Sequence, residues 1–480
     1  MSVLVAQCSG GTHSVPPAVA ATSGTNAVGV PVLVQHVSAS STRENPLASP
    51  FCYYFGLADP ARAGNAIVVG FTFRGNPSAA VMDDRGDSYT VAAHYYDSRE
   101  DRSVGIAAAF GVKANARAIS LCFSSDPGGY VQPTATEFAN VVGIDGSGSG
   151  NSGRGTAISG GRLHPAAPGD LVYQVAASLS LSQSRFIAGA QTDVGWNLLS
   201  ADLLDGWAAQ YAIDTSAIEL TPQMTLGRSD GWISAAVLLK SGSTGEVPSG
   251  LRVVHLLHEN VPYHPQAGGT YRPFPNPLAL QFPCSGNLLV SMIGGGNDPQ
   301  PATVVTDSGH NHWSQAGHTY VESDDTVQAF YADNASCSPD LSLSTLFVGG
   351  AGDYTVLLYD VAGAADEPLD TALGGGGDYR APGAFTMPFV LQPAAAHEIV
   401  FAQIMWDYNT GVGLRDGLFD ANRFSGENLN GPEPVDENNG WGHFLITSTR
   451  PVRFTWQVLQ PDTNPIRFWA GMAVAFKGRD

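Results

Sequence analysis

The sequence has few charged residues and very little lysine. Asp, Glu, Lys and Arg make up only 14% of the chain, well below the roughly 25% that is usual for soluble proteins. Lysine occurs only as Lys113, Lys240 and Lys477. The net charge of −20 makes nucleic acid and anionic membranes poor electrostatic partners. With so little lysine, the chain also cannot use this residue to protect the edge strands of its sheets.

Segments for membrane crossing and export are missing as well. No apolar run approaches the ~20 residues that a membrane-spanning helix needs. The first residues lack the basic and long apolar segments of a secretory signal. We therefore expect no membrane insertion. Either the chain is made without an export signal, or its natural start lies further upstream.

The familiar catalytic motifs are absent from the sequence. It contains no G-x-S-x-G elbow, no H-E-x-x-H, no phosphate-binding loop and no credible Ser-His-Asp set. We therefore expect a protein that is not an enzyme, with no catalytic, cofactor-binding or metal-binding residues. A glycosidase-like carboxylate pair stays open as an alternative, because its spacing is spatial.

Glycine and proline, in contrast, are plentiful. The chain has 56 Gly and 31 Pro, and no segment shows sustained helical periodicity. Short apolar runs, such as residues 67–73 and 232–239, alternate with turn residues. This pattern is typical of an all-β protein. It predicts β-sandwich domains of two sheets each, with jelly-roll or Greek-key connections.

An internal duplication is indicated by two matching stretches. Trp232 to Lys240 and Trp469 to Lys477 each begin with Trp, continue with small and large apolar residues, and close with Lys. A slowly drifting offset between such matches is expected when duplicated domains differ in loop length. We expect Trp207 to superpose on Trp441 and Trp232 on Trp469. The other matches, in chain order, are Asn65 with Asn287, Gly86 with Gly309, Gly143 with Gly363, and Pro165 with Pro393.

The matches divide the chain into four parts. Residues 1–29 form an extended N-terminal arm, 30–242 a first β-sandwich domain, 243–250 a linker, and 251–480 a second β-sandwich domain. The arm has little patterned hydrophobicity, and a disordered terminus is one interpretation. The alternative is a segment that adds a strand to a neighbouring subunit. Its assembly residues would include Val3, Leu4, Val5 and Cys8.

A polar and aromatic loop at residues 407–439 accounts for most of the extra length of the second domain. Long loops on rigid β-sandwiches are frequent binding sites. We therefore predict ligand or partner contacts from aromatic residues in and near this loop and its smaller counterpart at 179–205. The candidates are Trp196, Trp406, Tyr408, Phe419 and Phe424.

Four of the five cysteines are distributed evenly between the two domains, two in each, and Cys8 lies in the arm. Cys52 and Cys284 both precede a core strand, and Cys122 and Cys337 lie near a later one. Matched placement favours the disulfides Cys52–Cys122 and Cys284–Cys337, with buried free thiols as the alternative. Cys8 would stay free or pair between chains.

Several short motifs carry little functional weight. Residues 85–88 spell Arg-Gly-Asp-Ser, but the second domain has Ser-Gly-His-Asn at 308–311, so both are interpreted as hairpin turns. Residues 148–153 fit G-x-G-x-x-G without the following helix that a dinucleotide site requires. Asn334 begins one glycosylation sequon, which matters only in an exported chain.

Three side-chain clusters give weak signals for metal binding. His310, His312 and His318 lie close together, but solvated hairpin histidines are the favoured interpretation over zinc ligands. Two acidic hairpins offer a weak calcium signal, because calcium needs six to eight oxygen ligands. Their carboxylates are Asp97, Glu100 and Asp101, and Glu322, Asp324 and Asp325.

One pattern resembles a known group of proteins. The first domain has Thr-Glu-Phe at 136–138, Gly-x-Asp-Gly-Ser at 143–147 and Pro-Ala-Ala-Pro-Gly-Asp-Leu-Val at 165–172. These residues resemble the tandem β-sandwich modules of bacterial surface proteins and of tailed-phage virion proteins. The second domain departs from the pattern, with Tyr359-Asp360 in place of Glu137-Phe138. The resemblance implies a module for assembly or display, and carries no catalytic residues.

We therefore expect a non-enzymatic structural protein on a virion or an extracellular filament. It would assemble through its arm and sheet edges, with copies of itself or other structural subunits as partners. The first alternative is a glycan-binding surface adhesin that uses the 407–439 loop. A polysaccharide-degrading enzyme is the less favoured alternative.

Overall fold

A computed structural model describes most of the chain, and its regular structure consists of β-strands. No helix occurs among the residues described, so none is long and apolar enough to cross a membrane. The described residues are 29–38, 51–127, 131–179, 185–189, 196–202, 206–214, 216, 218–243, 245–246, 249–261, 277–296, 301–322, 325–338, 341–347, 353–378, 386–407, 418–419, 437–457 and 468–479.

We call residues 30–242 the first half and residues 251–479 the second half. The strands of the first half are β1 (Val32–Ser38), β2 (Phe51–Gly56), β3 (Ala66–Arg74), β4 (Ala79–Asp83), β5 (Thr90–Asp97), β6 (Arg102–Ala109), β7 (Ala118–Phe123), β8 (Val131–Ala139), β9 (Val141–Ile144), β10 (Ser149–Ser159), β11 (Leu171–Ser178), β12 (Phe186–Ile187), β13 (Asn197–Asp202), β14 (Trp207–Ile213) and β15 (Gln223–Ser241).

The strands of the second half are β16 (Arg252–Val261), β17 (Leu278–Gln281), β18 (Leu288–Gly296), β19 (Ala302–Asp307), β20 (Ser314–Gln315), β21 (Tyr320–Glu322), β22 (Asp325–Asp333), β23 (Ser342–Phe347), β24 (Asp353–Ala362), β25 (Ala364–Asp378), β26 (Thr386–Leu391), β27 (Glu398–Asp407), β28 (Leu418–Phe419), β29 (Glu437–Ile446), β30 (Val452–Gln457) and β31 (Phe468–Gly478).

A central sheet runs through both halves. It has 11 strands in the order β20-β22-β18-β24-β16-β1-β8-β3-β6-β5, with β21 paired to β22. The halves meet where β1 pairs with β16, and this is the only parallel pairing among the described strands. We call this β1–β16 pairing the seam. From the seam outward, the order β1-β8-β3-β6-β5 is matched by β16-β24-β18-β22-β20.

The central sheet of the first half is covered on both faces. One face packs against the outer sheet β2-β7-β4, with Phe71 and Leu121 in the shared core. The other face packs against β10, β15, β11 and β14, with Val68 and Trp207 in a second core. Burial on both faces explains why β3 is a continuous apolar run instead of an alternating one. The half therefore has three layers of sheets, one more than the expected two, and the expected β-sandwich-like, all-β architecture is confirmed.

The second half has the same three layers. One face of its central strands packs against β17, β23 and β19, with Leu289 and Leu343 in the core. The other face packs against β27, β29 and β31, with Val290 and Phe401 in the core. All nine residues of β18 are buried.

The outer layers also connect the two halves. Strand β13 of the first half pairs with β17 of the second half through Ala201 and Gln281, which produces a 10-stranded outer sheet. On the opposite side of the central sheet, Val37 and Ala58 of the first half pack into the core that contains Phe401. The halves therefore share one core and two sheets.

Strand register tests some matches that were made from the sequence. Trp232 lies opposite Gly153 in β10, and Trp469 lies opposite Gly377 in the corresponding strand β25. Trp207 and Trp441 lie on corresponding strands and both face the central sheet. However, Trp207 lies opposite Ala177, which is six residues beyond Leu171 (177 − 171), whereas Trp441 lies opposite Gln403, four beyond Ile399 (403 − 399). These two Trp residues therefore lie at different register positions along corresponding strands.

Two of the glycine matches made from the sequence change when the residues with positive φ are compared. Gly363, with φ 80°, follows β24 as Asn140, with φ 62°, follows β8. Gly363 therefore corresponds to Asn140 and not to Gly143. In the hairpin turns, Gly86 has φ 69° and His310 has φ 58°. The position that corresponds to Gly86 is thus His310, one residue after Gly309.

Two disulfides are present in the described part of the chain. Cys52 lies opposite Cys122 in the β2–β7 pairing, and the two are bonded. Cys284 is bonded to Cys337 in the second half. Each bond thus lies within one half. Cys8 lies outside the described residues.

Candidate functional site

The predicted aromatic contacts are only partly within the described structure. Trp196 is 8% exposed and packs with Val172 and Leu238 on the outer face of β11 and β15. This burial leaves little of its ring for stacking on a ligand. Trp406 lies in β27, opposite Trp469, and Phe419 lies in β28, whereas Tyr408 and Phe424 are outside the described residues.

The predicted assembly residues Val3, Leu4, Val5 and Cys8 also lie outside the described residues. The first described residue is Gly29, whose N–H donates to Ser243 Oγ at 3.0 Å. Asn140 Nδ2 donates to the carbonyl of the next residue, Val30, at 2.9 Å. Gly29 therefore lies beside Ser243, and Val30 lies beside Asn140, the residue that follows β8.

The predicted hairpin turns are built around a buried or half-buried carboxylate. Asp83 accepts from the N–H groups of Arg85 and Asp87 and from the Tyr89 hydroxyl. In the second half, Asp307 accepts from Asn311 and from Trp313 Nε1 at 2.6 Å. The Arg-Gly-Asp sequence is therefore one of two similar turns.

The metal candidates find no support in the described residues. His310, His312 and His318 are exposed, and no group of three or more His, Cys, Asp or Glu side chains in the described ranges could hold a metal ion. In the first acidic hairpin, Glu100 pairs with Arg154 at 2.6 Å and Asp101 pairs with Arg74 at 3.3 Å. The positive charges of these arginines already balance the negative charges of the two carboxylates.

A buried polar network joins several strands at the seam. His36 of β1 is buried, with Nδ1 2.8 Å from Thr136 Oγ1 and Nε2 3.0 Å from Ser200 Oγ. Since Ser200 belongs to β13, this histidine ties the central sheet to the outer sheet where the two halves join. Burial and the neighbouring His255 lower the pKa of His36 well below its usual value. His36 is therefore neutral at physiological pH.

A second chain of hydrogen bonds surrounds Glu137. This carboxylate accepts from Gln35 Nε2 at 2.6 Å, from Asn65 Nδ2 at 2.5 Å and from Arg62 N at 2.8 Å. Burial raises the pKa of Glu137, although these hydrogen bonds oppose the shift. Gln35 in turn exchanges two hydrogen bonds with the Asp59 main chain, both at 2.8 Å. The network thereby fixes the segment that follows β2.

Asp59 carries this network into the second half. Its Oδ1 lies 3.1 Å from Nε2 of the buried His443 in β29, and its Oδ2 accepts from Val253 N at 3.4 Å. Burial raises the pKa of Asp59, but hydrogen bonding and charge attraction from His443, aided by Arg117, outweigh it and leave a lowered pKa. Asp59 is therefore a carboxylate that joins the halves.

The second half has its own buried pair at the corresponding place. His255 of β16 lies opposite Asp360 of β24, and its Nδ1 is 2.7 Å from Asp360 Oδ2. Gln35 and Glu137 take the same positions in β1 and β8. The Ser285 and Gly286 N–H groups also donate to Asp360, at 2.9 and 2.8 Å.

These buried groups are arranged for holding strands together. The side chains of His36, Glu137, His255 and Asp360 have almost no contact with solvent, so a substrate could not reach them without opening the sheets. Hydrogen-bonded polar groups in a core fix strand position strongly, because each would be costly to leave unpaired. The network therefore specifies how the two halves meet.

The three-stranded outer sheet β2-β7-β4 and the β17-β23-β19 part of the 10-stranded outer sheet present faces with almost no charge. In β2-β7-β4, Tyr54 is 71% exposed and Met82 50% exposed, and both lie opposite Ser120. In β17-β23-β19, Val304 lies opposite Leu346, and they are 45% and 42% exposed. The charged residues of these six strands are Asp83 and Asp307, which are engaged in the turns.

The sequence analysis did not single out the seam residues. Gln35, His36 and His255 are polar residues within otherwise apolar strands, which is a signal that a strand has a buried polar partner. Their polar character does not indicate which partner each one has. Compared with known proteins, the chain matches no family model and no curated protein.

Proposed function

We propose that the two halves are duplicated copies of one domain, preceded by an N-terminal arm. The matching strand order from the seam outward supports this proposal. So do the Gly153–Trp232 and Gly377–Trp469 pairs in corresponding strands. The shared sheets and the buried network then make the two copies one rigid unit.

The function that this unit fits best is structural. The chain is a non-enzymatic subunit of a virion or an extracellular filament, and it assembles with copies of itself through the arm. A unit whose buried carboxylates and histidines serve its own strand contacts is suited to bearing load and to repetition. The likeness of residues 136–147 and 165–172 to modules of phage and bacterial surface proteins agrees with this role.

The observation that carries the proposal is a match in charge between the arm and the outer sheets. Residues 1–28 contain no Asp, Glu, Lys or Arg, in a chain of net charge −20. The β2-β7-β4 face, with Tyr54 and Met82, and the β17-β23-β19 face, with Val304 and Leu346, are likewise uncharged. An uncharged segment meets no repulsion there, and it buries exposed apolar surface. The arm of one copy therefore occupies an outer sheet of the next.

Removal of the arm tests the proposal. A chain without residues 1–28 is expected to keep its near-ultraviolet circular dichroism and its thermal midpoint, but to lose the assembly seen by light scattering and electron microscopy. Val3→Asp combined with Leu4→Asp keeps the arm length and should have the same effect. Ser2→Asp combined with Thr12→Asp is the matched control, because it adds the same charge at polar positions.

A second pair of variants tests the receiving surface. Tyr54→Ser with Met82→Ser removes the apolar side chains from one outer sheet, and should weaken assembly of the complete chain. If the truncated chain assembles like the full one, or if the full chain stays monomeric, the proposal fails. Specific retention on a glycan surface by that monomer would then support the adhesin alternative.

A further inference from the structure

Two pairs of carboxyl groups lie at corresponding places in the two halves. Asp145 follows β9 and Asp170 precedes β11 in the first half. In the second half, Asp370 lies in β25 and Glu398 begins β27. Both pairs lie near the ends of the long strands β15 and β31. The function proposed above does not use these groups.

The first pair has a half-buried member and a buried member. Asp145 is half-buried, and its Oδ2 accepts from Ala166 N at 2.6 Å. Asp170 is 2% exposed, and its Oδ1 accepts from Ser241 N at 2.9 Å. Asp145 N donates to the carbonyl of Leu238, and Asp170 accepts from Ser241, so both acids lie beside the end of β15. Yet Asp170 Oδ2 is buried without any hydrogen-bond donor.

The second pair repeats this arrangement. Asp370 Oδ2 accepts from Ala394 N at 2.9 Å, and Glu398 Oε1 accepts from Ala395 N at 2.8 Å. Glu398 is 0% exposed, and its Oε2 is buried without a donor. Asp370 and Glu398 flank the end of β31, because Glu398 lies opposite Lys477 and the neighbours of Asp370 lie opposite Phe476 and Ala475. In both halves, therefore, main-chain N–H groups take one oxygen of each acid, and one oxygen of the more buried acid has no donor among the described residues.

Two carboxylates that face each other without a donor repel, and the repulsion is strong where water is partly excluded. A positive species between them removes this cost. We propose that each pair, Asp145 with Asp170 and Asp370 with Glu398, binds a hard divalent cation, for which Ca²⁺ is the natural probe. The inference does not rest on the proposed function.

The donor atoms favour this class of cation. The paired side chains offer only carboxylate oxygens as ligands, and oxygen ligands suit Ca²⁺ and Mg²⁺ better than zinc or copper. Two carboxylates supply part of the coordination shell, and the half-buried position of Asp145 and Asp370 leaves room for water. Sites with so few acidic ligands bind Ca²⁺ with dissociation constants of roughly 10⁻⁴–10⁻³ M. Because Lys477 lies opposite Glu398, the second pair should bind more weakly than the first.

Calorimetric titration of the full chain with Ca²⁺, after treatment with EDTA, tests the proposal. We expect two saturable sites of different affinity and a rise of the thermal midpoint by a few degrees. Asp145→Asn should remove the tighter site, and Asp370→Asn the weaker one. In EDTA these variants should melt at or above the wild-type temperature, because an amide donates to the orphan oxygen. This reversal distinguishes loss of a site from misfolding.

Asp366→Asn provides the matched control. Asp366 is exposed and lies in the same strand as Asp370, so its loss should leave both sites intact. NaCl at equal ionic strength should not reproduce the thermal shift. The expected stabilisation comes from Ca²⁺ bound at the two sites, and not from general screening of the net charge of −20. If Ca²⁺ gives no saturable heat, or if its effect persists in the Asp145→Asn, Asp370→Asn double variant, the proposal is overturned and a shared proton holds each pair.

Discussion

His36 and His255 lie directly opposite each other across the seam, with ring centroids 6.4 Å apart. Both rings are buried, and they come from different halves of the chain. His36 is held by two hydroxyl groups, whereas His255 is held by the Asp360 carboxylate. A proton on His36 would therefore have no anionic partner in direct contact and would face a second histidine. The pairing of the halves depends on an uncharged His36.

The stability of the protein should consequently fall in mild acid. The folded state lowers the pKa of His36 through burial and through His255, whereas the unfolded chain protonates it near about 6.5. The contribution of His36 is thus complete above the unfolded pKa, and is lost as the pH falls below it. For one group the slope approaches about 1.4 kcal/mol per pH unit. Urea denaturation at a series of pH values measures it.

A substitution separates His36 from the other titrating groups. His36→Gln keeps an amide that can bond Thr136 and Ser200, and it should flatten the pH dependence while costing some stability at neutral pH. His318→Gln, at an exposed position, should leave the slope unchanged. An unchanged slope in His36→Gln would mean that this histidine is not the group that titrates.

The strand content could be predicted from the sequence, but the number of layers was misjudged. Turn residues and short apolar runs indicated an all-β chain, which is confirmed. The runs at β3 and β18 lack the alternation of a strand with one wet face, and this is the signature of burial on both sides. The continuous apolar character of these two strands therefore indicates a third layer, which a two-sheet sandwich does not have.

The seam could not be predicted, because its partners are far apart in sequence. His36 pairs with His255, and Asp59 contacts His443 with a sequence separation of 384 residues. Hydrophobic periodicity reports which face of a strand is buried, but not which strand lies beside it. The buried network could only be seen once the strands were placed. The predicted aromatic site illustrates the same limit, since Trp196 packs into a local core.

The Asp59–His443 contact should contribute measurably to the union of the halves. Asp59→Ala removes the carboxylate that faces His443 and Val253, and leaves a buried imidazole without this partner. The expected loss in the free energy of unfolding is about 1–3 kcal/mol, measured by urea denaturation. Glu367→Gln, at an exposed site, should stay within about 0.5 kcal/mol of the wild type. A loss for Asp59→Ala that is no larger than this control would show that the contact is dispensable.

The Gly–Trp pairs of the two halves give a prediction with internal controls. A Cβ at Gly153 would lie 2.7 Å from Cζ2 of the Trp232 ring, and one at Gly377 would lie 2.9 Å from Nε1 of Trp469. Trp232 is buried and Trp469 is half-buried, so the second ring has more freedom to move aside. Gly153→Ala should therefore destabilise the protein by about 1–3 kcal/mol, and Gly377→Ala by less.

Two further glycines separate this steric effect from the general effect of alanine in a strand. A Cβ at Gly143 would meet nothing within 4 Å, and one at Gly375, in the same strand as Gly377, would touch Trp469 only at 3.8 Å. Neither residue has positive φ, so Gly143→Ala and Gly375→Ala should be neutral or stabilise by up to about 1 kcal/mol, since alanine restricts the unfolded chain. Thermal and urea unfolding of the four variants should thus rank Gly153→Ala lowest, then Gly377→Ala. Equal stability of all four would mean that the Trp rings do not rest on these glycines, and would remove one of the two supports for duplication.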